Sequence, residues 1–419
     1  MVEPDTASAS REVPMSVSLD IVGDDLKVAL PTGETVRFAH LDYAASAPCV
    51  SAAAEAVADL LPRYGSVHRG TGVRSQSSTI AYELARDVVA EFVGAGPEHE
   101  VIFTRNTTDA FNLLARCLPA GTTTIVFDGE HHANLLPWPN PVRLPAPSSP
   151  AEALRSLEQA LRNTTGDVLV TVTGASNVTG EIWPVRQIAG LAHHYGARVA
   201  VDAAQLAPHR PVDLTELQAD YLAFSGHKLY APFGAGVLAG RWDWLDAAPP
   251  YLAGGGASAA VGDRPGELDW ATGPARHEGG TPNLLGAVAV AAVCEALTAA
   301  DRDVLAAQEE LLLDRLRAGL ATIPGVTEVS LFGPKHPRVG IVSLAFADED
   351  PADVALRLGR DHGIGVRAGQ FCAHPLVRRL TGRAETADCG TATGLLRISF
   401  GLGSTTDDVD RVLAALRNT

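Results

Sequence analysis

A chain of 419 residues with 46% hydrophobic and 20% charged side chains can bury a sizeable core, which separates it from disordered and fibrous proteins. Its formal net charge of −16 disfavours nucleic acid and anionic membrane surfaces, because affinity for phosphate backbones comes from Lys and Arg displacing counterions. No apolar run approaches the roughly 20 residues that span a bilayer, and cysteines at 49, 117, 294, 372 and 389 without a C-x-x-C pair fit a reducing cytoplasm rather than a disulfide or zinc framework.

The N-terminus, M-V-E-P-D-T-A-S-A-S-R-E, lacks a basic region followed by an apolar one, so no leader is expected and residues 1–30 are expected to be flexible. A helix predicted over 79–94 is followed by a strand at 101–104 (V-I-F-T), a helix at 108–117 and a strand at 123–128 (T-T-I-V-F-D). The alternation continues with a helix at 151–163, a strand at 167–173 (D-V-L-V-T-V-T), a helix at 184–195, and strands at 198–203 (R-V-A-V-D-A) and 221–224 (Y-L-A-F). Strands this continuously apolar are buried on both faces, so the expected fold is α/β with a mainly parallel sheet. After Gly254, Gly255 and Gly256 and a helix at 283–299, long helices mix with strands at 341–346 and 396–400. This change in pattern predicts a larger domain over 31–299 and a smaller α+β domain over 300–419.

Ligands of such sheets collect beyond the carboxyl ends of the strands, and polar motifs stand there. Thr107 and Thr108 follow one strand and open a helix, where free backbone N–H groups suit a phosphate or the hydroxyls a simple cap. His131, in E-H-H-A-N, could lie flat on an aromatic ring. Asp202 and Gln205 follow another strand; a carboxylate there either caps a helix or pairs with a cation such as a pyridinium. Lys228, in S-G-H-K-L-Y, is either a solvated loop lysine or a buried amine whose lowered pKa frees it to form an imine.

Taken in order, nine segments resemble the class V aminotransferase group of pyridoxal-phosphate enzymes. They are L-D-Y-A-A-S-A-P (41–48), V-H-R-G (67–70), T-R-N-T-T-D, E-H-H-A-N, S-N-V-T-G (176–180), V-D-A-A-Q, S-G-H-K-L-Y, G-G-T-P-N (279–283) and R-A-G-Q-F-C-A-H-P (367–375). Within the group they are most similar to the cysteine desulfurase and selenocysteine lyase branch. The resemblance implies the type I fold of pyridoxal-phosphate-dependent transferases, with Lys228 bonded to the cofactor aldehyde, Asp202 at the pyridinium nitrogen, His131 on the ring and Gln205 at the phenolic oxygen. It also implies that Thr107, Thr108, Ser225 and His227 hold the phosphate, with Thr281 supplied by the second subunit of a homodimer. Asn177 and Arg397 match positions that bind the substrate carboxylate, with Ala45 and Arg367 beside them, and Cys372 matches the thiol that takes the sulfur.

The resemblance further implies conversion of L-cysteine, or a related sulfur or selenium amino acid, to alanine with a persulfide left on Cys372, and then delivery to an acceptor protein. Close relatives carry two histidines where this chain has Gln370 and Phe371, which leaves the proton supply to Cys372 open; Arg367 and His374 are nearby candidates to favour the thiolate. Asn106 replaces a common glycine, an exchange eased by the tolerance of Asn for left-handed backbone. Cys117 and Cys294 sit in apolar helical patterns that read as core, Cys49 reads as packing, and Cys389 as a bystander or a second thiol. If Cys372 is inert, a C–S lyase, an aminotransferase or an epimerase remains open. A non-catalytic scaffold is the alternative of another class.

Overall fold

The apolar runs assemble into one seven-stranded sheet, seen in a computed structural model that describes residues 19–382 and 394–417. The strand order is His99–Thr104, Gly236–Arg241, Tyr221–Ser225, Arg198–Asp202, Val168–Thr173, Thr123–Phe127 and Pro141–Leu144. Every neighbouring pair is parallel except the two involving Gly236–Arg241, which is antiparallel to both its neighbours. Six strands therefore end at the same edge, and the polar motifs of the sequence follow those ends.

All six residues of Val168–Thr173 are buried, as a strand covered on both faces requires. The helices that cover the sheet start at identifiable caps. Asn106 accepts from the Asp109 N–H to open Thr107–Cys117, and Ser149 does the same from Glu152 for Pro150–Arg162. Asn106 is extended, with φ −175, so the left-handed tolerance anticipated for it is not used. The adaptation lies opposite it: a Cβ on Gly236 would come within 2.5 Å of the Asn106 Cα, and glycine there lets the loop rest on the sheet.

Two strands of this sheet escape the sequence pattern. Gly236–Arg241 reads G-V-L-A-G-R, whose glycines resemble a turn, and three of the four residues of the edge strand Pro141–Leu144 are exposed. The helix expected at 79–94 spans Val73–Phe92; its first two turns are too polar to show an apolar stripe.

The C-terminal part is an antiparallel sheet ordered Val326–Glu328, Ile341–Phe346, Leu395–Ser399, Arg367–Gly369. Leu316, Val342, Leu396 and Val409 belong to its core, and so do Ala39 and Leu41 from the other end of the chain. Ala39–His40 pairs in parallel with Ile364–Gly365. Lys27–Ala29, inside the segment expected to be flexible, pairs antiparallel with Thr35–Arg37. Residues 39–41, within the 31–299 span assigned to the larger domain, thus pack with elements from beyond residue 300.

Candidate active site

A pocket of about 450 Å³ opens where the carboxyl ends of the sheet strands meet the C-terminal body. At one end, the Thr107–Cys117 helix begins with a buried Thr107 and an exposed Thr108. Ser225 Oγ accepts the Thr107 backbone N–H at 2.9 Å and lies 2.7 Å from the Thr107 hydroxyl, so the end of one strand fixes the start of a helix two strands away. His227 Nδ1 is 3.3 Å from Ser46 Oγ; burial, then the charge of Lys228, lowers its pKa. The Thr107, Thr108 and Ser225 hydroxyls at a helix N-terminus make this end suited to a phosphate.

Lys228 lies at the floor of the pocket, in the turn after Tyr221–Ser225, with its backbone N–H donating to Ser225 O at 3.1 Å. Burial lowers its ammonium pKa, and Asp202 opposes that shift. Asp202 ends the neighbouring strand and is 4% exposed. One of its oxygens accepts the Ala204 N–H at 2.9 Å, so the local capping role is present. Burial raises its pKa, opposed by Lys228; a buried carboxylate with a single backbone donor suits a cationic partner. His131 Nδ1 accepts the Ala133 N–H at 3.0 Å, which leaves the ring proton on Nε2. Burial, followed by repulsion from Lys228, pushes its pKa down to about 3, so the ring is a neutral plate.

The opposite wall comes from the C-terminal body. Arg397 is 3% exposed and donates from Nη1 to Asn177 O at 3.0 Å and from Nη2 to Asp42 Oδ1 at 3.1 Å. Asn177 Nδ2 donates to Phe371 O at 2.8 Å. Cys372 is exposed to the pocket, and its carbonyl accepts the His132 N–H at 2.7 Å. His374 also lines the pocket, its ring 4.5 Å from that of His132. Arg367 is largely exposed and reaches Asp42 at 4.0 Å.

Lys228, Asp202, His131, Thr107, Thr108, Ser225, His227, Asn177, Ala45, Arg367, Arg397 and Cys372 thus all line one pocket. Gln205 is not among the residues lining it; it is buried and donates to Ala44 O at 2.8 Å. Thr281 lines a separate cavity with Thr104, Arg105 and Tyr251. Cys49 is half-buried, Cys117 and Cys294 are buried, and burial pushes the Cys117 thiol up to about 12. Cys389 lies outside the described residues. With an anion-binding end, a lysine at the floor and a buried carboxylate beside it, the donor set fits pyridoxal phosphate.

Two acidic residues went unrecognised in the sequence. Asp42 holds Arg397 from the far end of the chain, with no local signal beyond its place at the head of L-D-Y-A-A. Glu130 is fully buried, accepting the Thr173 N–H at 2.9 Å and Asn134 Nδ2 at 2.8 Å. Burial is the main cause that pushes its carboxyl up to about 8. Between about pH 4.5 and 8 the folded chain therefore keeps a proton that the unfolded chain has lost, so this group's contribution to stability falls as pH rises. Glu130→Gln keeps one of the two accepting oxygens and removes the titration; whatever its overall stability, its thermal midpoint is expected to decline less than the parent's from about pH 5 to pH 8. An equally steep decline in calorimetry contradicts the assignment.

The family model of aminotransferase class-V matches residues 39–412. A probable cysteine desulfurase of Halalkalibacterium halodurans is 35% identical over 91% of this chain and 92% of its own length. A cysteine desulfurase of Dickeya dadantii is 34% identical over 95% and 96%. Among solved structures, the apo cysteine desulfurase of Thermococcus onnurineus NA1 superposes with a TM-score of 0.81 at 31% identity, covering 96% of this chain and 98% of that one. The Escherichia coli cysteine desulfurase CsdA gives 0.77 at 32%, covering 91% and 94%.

Proposed function

The chain belongs to the aminotransferase class-V family, and from that premise we propose that it is a pyridoxal-phosphate-dependent cysteine desulfurase that converts L-cysteine to L-alanine and retains the sulfur on Cys372. The observation that carries the reading is the sharing of one pocket by a buried lysine–aspartate pair and an exposed cysteine.

Thr107, Thr108, Ser225 and His227 would hold the cofactor phosphate, Asp202 its ring nitrogen and Lys228 its aldehyde. When bound, the cofactor supplies a sink for the charge left as the substrate Cα loses its proton. Lys228 Nζ, whose burial disfavours the ammonium form, is suited to remove that proton. His131 presents a neutral ring and does not compete for it. Arg397, with Asn177 beside it, takes the substrate carboxylate and so orients Cβ and its sulfur toward Cys372. The Cys372 thiolate attacks that sulfur, forming an S–S bond. As the C–S bond breaks, Cβ keeps the electron pair and takes up a proton, and Cα recovers the proton that Lys228 removed, so alanine leaves and the sulfur stays as a persulfide.

The reading extends to a homodimer in the cytoplasm that hands sulfur to an acceptor protein. Thr281 stands outside the Lys228 pocket, and Val73, Ile80 and Leu84 form an exposed apolar stripe on one helix, each more than half exposed; both features suit a second copy docking here. Incubation with pyridoxal phosphate and L-cysteine is expected to yield alanine and a one-sulfur mass increment on the Cys372 peptide. Pyruvate with no such increment points instead to a C–S lyase.

A further inference from the structure

The Cys372 turn carries an aromatic ring against the buried guanidinium. Phe371 lies with its ring centre 4.8 Å from Arg397 Cζ. Both terminal nitrogens of Arg397 are occupied, by Asn177 O and Asp42 Oδ1, while its Nε is buried without a partner. A buried N–H without an acceptor is costly unless a ligand supplies one. A guanidinium stacked on a ring keeps its plane fixed and its face dry, and leaves its edge open to the two oxygens of a carboxylate.

The backbone of Phe371 is held equally firmly. Its φ is +51 and that of Cys372 is +53, two successive non-glycine residues in the left-handed region, an arrangement that persists only where surrounding contacts impose it. Here the contacts are Asn177 Nδ2 to Phe371 O at 2.8 Å and the His132 N–H to Cys372 O at 2.7 Å. The residue that stacks on the cation therefore immediately precedes the thiol.

We propose that Phe371 is a positioning residue for the substrate: its ring fixes the plane of Arg397 and shuts water from its face, so that the Nε edge receives the carboxylate of a β-thiol amino acid at a set distance from Cys372. The proposal rests on the reading of Arg397 as the carboxylate site. It assigns to this side chain a purpose other than the proton transfer a histidine would serve.

The test compares Phe371→Leu, Phe371→Tyr and Arg397→Gln holoenzymes, each with cofactor absorbance intact. Initial rates of Cys372 alkylation by iodoacetate and by iodoacetamide are read from the Cys372 peptide; the ratio reports how well an incoming carboxylate is drawn to the cation. The ratio is expected to fall roughly fivefold in Phe371→Leu and to stay near the parent value in Phe371→Tyr, which keeps the ring. KM for L-cysteine is expected to rise by a similar factor in the leucine variant, with kcat within about twofold. If Arg397→Gln lowers the ratio and Phe371→Leu does not, the role of Phe371 is overturned and the carboxylate site stands. If neither lowers it, the carboxylate site itself falls, and the proposal with it.

Discussion

Lys228→Ala is expected to lower alanine formation from L-cysteine by about ten-thousand-fold or more, since on the proposed reading it removes both the covalent tether of the cofactor and the base at the substrate Cα. The amine is kept reactive by burial, and Asp202 is the carboxylate that favours its charge. The groups suited to the phosphate and the ring nitrogen lie on other residues, among them Thr108, Ser225 and Asp202, so the variant is expected still to hold pyridoxal phosphate noncovalently. The measurement is alanine release together with the visible band of the bound cofactor, at roughly 420 nm in the parent. Turnover above about one per cent of the parent contradicts the assignment.

Cys372→Ala is expected to keep that band and to lose alanine production from L-cysteine by about a hundredfold or more. The thiol is exposed, in no disulfide, and lines the pocket rather than the core, so folding and cofactor loading are expected to survive. The loss then reports chemistry alone. Near-parental turnover in this variant would exclude Cys372 as the sulfur acceptor and favour a lyase. With selenocysteine, whose selenium leaves more readily, a smaller loss is expected.

The cofactor end of the site was legible in the sequence because each of its residues follows a strand whose apolar run announces itself. Thr107, His131, Asp202 and Lys228 each stand within a few residues of such a run, and parallel strands deliver their ends to a common edge. The substrate end was legible only through family resemblance, because its geometry depends on contacts between remote segments. Nothing around Asp42 announces that its carboxylate will meet Arg397, and nothing in Q-F-C predicts that the ring of Phe371 will lie on that guanidinium. Gly236–Arg241 escapes notice for a related reason: Gly236 is demanded by the Asn106 backbone packed on it and Gly240 by Asp220 and Tyr221, tertiary constraints that imitate a turn signal. Glu130 stood beside a recognised histidine, yet charge at that position gave no hint of complete burial.

The pairing of Ala39–His40 with Ile364–Gly365, and of Asp42 with Arg397, ties the site to the order in which the chain is made. The strand-end residues of the pocket, from Thr107 to Lys228, precede residue 229, and the central sheet is complete soon afterwards at Arg241. The substrate end has to wait for almost the whole chain, since Asp42, among the first described residues, meets its arginine only when residue 397 has emerged. A nascent chain stopped in between carries Lys228 and Asp202 but neither the arginine that meets Asp42 nor the cysteine that shares their pocket.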